Sequence, residues 1–238
     1  MVVKTNDLLI NGYGTANGGQ FRNVQLNGRG IVNGDLECID FECNGSGHVN
    51  GDLKAEKIKI SGSGKINGKI DAQHMSIEGS GSIYEDATVK KMKISGKGTV
   101  AGNISGEDIN IRGKAIIDGN CEVDTFTSEG QFIVGGLLSA DEIQIDIHGE
   151  CKAKEIGGQT INIRYKKSGL NWLFKTMFSP RLEAELIEGD NINIEHTNIH
   201  TIRGNNVTIG PDCEINLVEY TGVCNIDKNA KVNESRKI

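Results

Sequence analysis

Residues 45–70 read GSGHVNGDLKAEKIKISGSGKINGKI. The motif GSGHVNGDL at 45–53 returns as GSGKINGKI at 62–70, seventeen residues on. Working outward, the same period runs through most of the chain. One column of apolar residues is Val24, Phe41, Ile58, Met75, Met92, Ile109, Phe126 and Ile143. A second is Leu26, Cys43, Ile60, Ile77, Ile94, Ile111, then Ser128, then Ile145. A third runs from Val32 through Val49, Ile66, Ile83, Val100, Ile117 and Val134 to Cys151, and a fourth from Leu36 to Leu138 before failing at Glu155. Glycines form two more columns, one from Gly28 to Gly130 and one of Gly34, Gly51, Gly68, Gly102, Gly119 and Gly136. An earlier unit, INGYGTANGG at 10–19, matches LNGRGIVNGD at 26–35 with a spacing of sixteen. A fixed period of this length is the signature of a repeat architecture.

Within one unit, apolar or small residues fall at 24 and 26, 30 and 32, 36 and 38. A spacing of two marks a strand with one buried face. Three such pairs per unit predict a three-sided coil, with glycine where the chain turns sharply. A single coil cannot bury its own apolar side. Stacking coils at about 4.8 Å completes parallel ladders and fills the interior with aliphatic columns. The expected fold is therefore all-β: a three-sided parallel β-helix, a solenoid of about 17 residues per coil. The expected organisation is a main β-helix over 1–163, an irregular, amphipathic insertion over 164–190, and further β-helical coils over 191–238. In that last part Val207, Ile209, Cys213 and Ile215 precede Cys224, Ile226, Ala230 and Val232 by seventeen, and Ile192 precedes Ile209 by seventeen.

Composition narrows the function. The 238 residues are 37% hydrophobic but only 5% aromatic, with 32 Gly and 2 Pro, which suits an aliphatic interior with glycine turns. The net charge is -6, with acids and bases interspersed, so no basic block prepares the chain for nucleic acid. The six cysteines make no C-x-x-C pair and mostly occupy inward positions, as small apolar residues in a reducing compartment would. No signal-peptide pattern or membrane-length apolar run is found, and the expected location is the cytoplasm.

Catalytic signals are absent from the pattern. His196 and His200 lie four apart, but in a strand-rich stretch that spacing does not bring them to one helical face, and no cysteine or carboxylate set completes a metal site. Gly-x-Gly recurs only within the repeat and opens no helix, so no nucleotide site is expected. The expectation is no cofactor and no enzyme activity. The main alternative is an acyltransferase on a left-handed hexapeptide β-helix, suggested by NNVTIGPDCEI at 205–215. Against it stand a period of 17 rather than 18 and the lack of a well-placed histidine.

The GSGxVNGDL repeat and the chain of 17-residue units resemble the bactofilin family of bacterial cytoskeletal polymers. The resemblance covers residues 8–163 well and the C-terminal coils loosely. It implies a right-handed β-helix, polymerisation end to end without nucleotide, and a role in cell shape, motility or positioning of other proteins. The implied partners are other copies of the chain, a paralogue, and a membrane surface or membrane protein. The flanks are expected to leave the end coils uncapped, and uncovered strand edges invite pairing. Leu8, Leu9 and Ile10 at one end and Ile226 and Val232 at the other are the expected polymer contacts. Within YKKSGLNWLFKTMFSPRLEAELIEG at 165–189, Leu170, Leu173, Phe174 and Met177 follow a helical i, i+3, i+4, i+7 spacing, and Trp172 and Phe178 lie beside them. Flanked by lysines, these six form the expected membrane or partner docking segment.

Overall fold

The computed structural model describes residues 6–165 and 180–238. All regular structure among them is strand, the strands pair in parallel, and they stack as a β-solenoid in each of two compact units, residues 1–119 and 120–238.

In the first unit the strands are β1 (Leu8–Ile10), β2 (Tyr13–Gln20), β3 (Asn23–Leu26), β4 (Arg29–Cys43), β5 (Ser46–Asn50), β6 (Leu53–Ile60) and β7 (Ser63–Ile66). They continue as β8 (Ile70–Ile77), β9 (Ser80–Ile83), β10 (Ala87–Ile94), β11 (Lys97–Val100), β12 (Ile104–Ile111) and β13 (Lys114–Ile117). One coil shows how sequence becomes shape. In β8 and β9 the inward pairs are Ile70 and Ala72, Met75 and Ile77, Gly81 and Ile83, and all six are buried. Gln73 and His74, between the first two pairs, are both exposed, so the strand bends there. The three predicted sides are thus three inward-facing pairs per coil. Partners follow at seventeen: Met75 faces Ile58 and Met92, and Ile77 faces Ile60 and Ile94. Like therefore packs on like, and each fully buried aliphatic side chain contributes about 1.5–3 kcal/mol.

The glycine columns have steric causes. A Cβ on Gly79 would stand 2.1 Å from the carbonyl oxygen of Gly62, and the contact recurs at Gly45, Gly62, Gly96 and Gly113. Gly81 faces inward instead, where a Cβ would meet Ile77 Cδ1 at 2.9 Å. The sixteen-residue spacing of the first unit is absorbed between Asn17 and Gly19, where the register shifts to seventeen. Corner asparagines stack as ladders: Asn50 Nδ2 donates to Asn33 Oδ1 at 2.8 Å, and Asn67 Nδ2 to Asn50 Oδ1 at 3.0 Å.

In the second unit the strands are β14 (Cys121–Ser128), β15 (Gln131–Ile147), β16 (Cys151–Tyr165), β17 (Leu182–Ile194), β18 (Thr197–Ile209), β19 (Glu214–Tyr220), β20 (Cys224–Ile226) and β21 (Lys231–Lys237). Here the coil length varies, which corrects two expected alignments. Val134 faces Ala153 rather than Cys151, which faces Phe132, because the chain takes two more residues from Ile145 to Cys151 than from Ser128 to Phe132; the ladder then shifts again between Val134 and Leu137. Ile192 faces Val207, and Ile194 faces Ile209, fifteen residues on. Residues 182–190 of the expected insertion lie within β17, where Ile187 packs on Ile156. Thiols buried in the interior ionise late: burial pushes Cys38 and Cys121 up to about 12 and Cys151 up to about 11. All six cysteines are free.

Candidate functional site

The surfaces that set this chain apart from a closed solenoid are its first and last coils. In the first unit, β1 pairs β3 through Leu8–Val24, Leu9–Gln25 and Ile10–Leu26, and β2 pairs β4. Among the described residues no strand pairs the opposite edge of β1 or β2, so their backbone donors and acceptors on that side have no ladder. Alternation sorts the three expected contacts. Ile10 points inward and is 8% exposed, Leu8 shares its side and is half-buried, and Leu9 points outward at 54% exposure. Ile10 reaches over the small Gly14, whose Cβ would meet Ile10 Cγ2 at 3.0 Å. From Leu8 to Gln20 there is no charged residue. Tyr13, which sequence reasoning missed, stands out on the flank at 76% exposure.

In the second unit the interior opens at the last coil. Val207, Ile209, Cys213 and Ile215 are between 1% and 3% exposed. Their successors are Cys224, half-buried; Ile226, 43% exposed; Ala230, half-buried; and Val232, half-buried. The inward columns therefore end on side chains that nothing among the described residues covers. Val223 and Ile238 add exposed apolar surface beside them. Neither belongs to an inward column, so the repeat carries no signal for them.

The last strand is fastened by charge. Column partners Arg203, Glu219 and Arg236 lie on three successive coils. Arg203 Nε donates to Glu219 Oε2 at 2.7 Å, and Arg236 donates to Glu219 Oε1 through Nε at 3.0 Å and through Nη2. Hydrogen bonds from Arg203, then from Arg236, hold the Glu219 carboxyl below its ordinary value of 4.5. Since the folded value lies below the unfolded one, this contribution is complete above about pH 4.5 and is lost as pH falls through the lowered value. Glu219→Gln should loosen β21 selectively. Hydrogen exchange should then quicken at residues 231–237 and stay unchanged in β6–β10, and the variant should lose the wild type's acid-dependent release of that strand.

An open groove of 730 Å³ on the second unit is lined by Lys152, Glu183, His200, Glu214 and Lys231, among others. Two of its carboxylates face cations: Lys152 lies 3.6 Å from Glu183, and Glu214 is held by Arg181 at 3.2 Å and Lys231 at 3.5 Å. Arg181 foremost keeps Glu214 below its ordinary value, which leaves it without a proton to give near neutrality. His196 and His200 are separated as expected. His196 stacks on Tyr165 at 4.2 Å and faces Asp212 at 3.2 Å, while His200 lines the groove. No group of three or more metal-ligating side chains is found among the described residues. Among them, too, no helix is long and apolar enough to cross a membrane. Leu170, Trp172, Leu173, Phe174, Met177 and Phe178 lie outside the described residues.

Comparison with known proteins places these features. The family model described as "Bactofilin: Polymer-forming cytoskeletal" matches residues 2–85 and 40–122. The chain is 60% identical over 232 residues to the uncharacterized protein YhbE of Bacillus subtilis (strain 168), covering 97% of this chain and 98% of that one. It is 34% identical over 103 residues to the uncharacterized protein YhbF of the same organism, covering 43% and 42%. No solved structure gives a significant match.

Proposed function

Because the chain belongs to the bactofilin family of polymer-forming cytoskeletal proteins, we propose that it is a non-enzymatic scaffold that assembles end to end, without nucleotide, through its first and last coils. The observation that carries this reading is the step in exposure between Ile209 at 1% and Ile226 at 43%, two residues of one inward column. A capped solenoid would cover that step. A second copy would cover it equally well, through backbone ladders at the open edges and apolar contact from Leu8 and Ile10 at one end and from Ile226 and Val232 at the other. At the cellular level the reading is a scaffold for cell shape, motility or the positioning of other proteins. The match to both YhbE and YhbF supports a paralogue as a co-assembling partner.

The test is negative-stain electron microscopy and sedimentation of the purified chain without nucleotide or metal. Filaments or sheets are expected. A chain that stays monomeric at high concentration would overturn the reading, and discrete trimers would return attention to the acyltransferase alternative. Cys224 offers a second readout. It is the one cysteine that is not fully buried, although burial raises its thiol as well. In the dispersed chain a maleimide should modify Cys224 well before the other five, and assembly should slow that reaction about tenfold or more. An unchanged rate would remove the last coil from the contact.

A further inference from the structure

One side of the first unit carries a column of basic residues. Lys57, His74 and Lys91 stack on three successive coils, and all three are exposed. Beside them Lys59 and Lys93 flank Ser76 in the next outward column. Lys59 is held by Glu78 at 3.3 Å, and Glu78 also feels Lys93. Lys57 and Lys91 make no ion pair with any described residue. The column borders a groove of 530 Å³ whose floor includes Met75 and Met92. It is bounded by acids: Asp40 pairs in register with Lys57 on one side, and Asp108 with Lys91 on the other. The positive stretch is therefore three coils long, about 10 Å at the spacing of stacked strands.

That length and those borders select the partner. A broad anionic bilayer would meet Asp40 and Asp108 as well as the lysines, and like charge set against like is penalised. A side of the same fold presents its charges on the same repeat of about 4.8 Å, so charge can match charge coil by coil. The second unit carries the complement. Glu122, Asp124, Asp141 and Glu142 lie on two adjacent coils, with Glu122 level with Ser139, and Thr125 with Glu142; all four are exposed. Glu122, Asp124 and Glu142 have no ion pair with any described residue.

We propose that the Lys57–His74–Lys91 column binds the Glu122, Asp124, Asp141 and Glu142 surface of a second copy, pairing chains side by side. This contact is separate from the end contacts and does not require them. It is polar and exposed, so salt screens it, whereas apolar end contacts are strengthened or left alone by salt.

The test compares wild type, Lys57→Glu/Lys91→Glu and Asp124→Lys/Glu142→Lys by sedimentation velocity and by filament width in electron microscopy. Salt is raised from about 0.05 M to about 0.5 M. Wild type is expected to pair laterally at low salt and to separate at high salt. Each double variant alone should pair roughly tenfold more weakly or worse, with filament length and thermal melt unchanged. An equimolar mixture of the two variants should recover pairing, because each supplies the charge the other needs. Loss of elongation with lateral pairing intact would sink the end-to-end reading and leave this one standing. Wild-type pairing that ignores both salt and substitution, or a mixture that recovers nothing, would overturn the proposal. So would lysine-dependent binding to phosphatidylglycerol vesicles without any lateral pairing, since the column would then serve a lipid surface.

Discussion

A chain carrying Ile226→Asp and Val232→Asp is expected to fold and to stay dispersed where the wild type assembles. Both side chains end inward columns: Ile226 follows Ile209, and Val232 follows Ile215. Ile226 is 43% exposed in the single chain, so a charge there disturbs little of the fold, and half-buried Val232 costs about 1 kcal/mol more. In an assembled contact both positions would lose water. Each substitution then removes about 1 kcal/mol of remaining apolar burial and adds the desolvation of a carboxylate, at least about 1–3 kcal/mol in addition. Together they should weaken association roughly a thousandfold or more. The matched control is Leu9→Asp. Leu9 is more exposed than Ile226, but it faces the flank rather than the end and should change assembly little. Sedimentation velocity across a concentration series separates the outcomes. Assembly in the double variant equal to wild type would exclude the last coil as a contact, and equal effects at Leu9 and Ile226 would point to general surface hydrophobicity.

Much of this architecture is legible in the sequence because strand alternation and coil stacking leave independent marks on it. The columns from Val24 and Leu26 mark the inward face, and the glycines mark the close passages of backbone over backbone, such as Gly79 over Gly62. The second unit shows where the period misleads. A strict seventeen aligns Cys151 with Val134 and Ile209 with Ile192, yet each true partner lies two residues away. A slip of two keeps an inward residue inward, so the apolar column continues across a long coil and a short one without breaking. Coil length has to come from the ladder itself. The end contacts are legible only as apolar residues near the termini; burial is needed to separate Leu8 and Ile10 from Leu9. The basic column is hidden for a different reason. Lys57, His74 and Lys91 lie seventeen apart among alternating acids and bases, and only stacking collects them.

The serine that interrupts the second apolar column has a steric explanation, and it makes the largest stability prediction. In the coil of β8 and β9 the interior pairs a large residue with none: Ile77 fills the space that Gly81 leaves. In the coil of β14 and β15 the same two places hold Ser128 and Phe132, both buried, at 1% and 0% exposure. The volume has moved across the interior from one strand to the next, and Phe132 meets Phe126 edge to face at 5.3 Å. Phe132→Gly should therefore open a cavity that Ser128 cannot refill, costing about 3–5 kcal/mol. Ser128→Ile alone should overpack against Phe132 and cost about 1–3 kcal/mol. The double variant reproduces the Ile–Gly pairing of the other coils and sets the introduced isoleucine on Ile145, the ladder neighbour of Ser128. It should fall only about 1–2 kcal/mol below wild type, the remainder being the lost aromatic pair and glycine's backbone entropy. The cycle thus predicts a favourable coupling of at least about 2 kcal/mol between two residues four apart in sequence. Denaturant unfolding of the four chains, with hydrogen exchange at residues 121–147 to localise the effect, measures it. If the double variant is as unstable as the two single losses added, the interior is not trading volume between these positions, and Ser128 is a defect that the neighbouring coils tolerate.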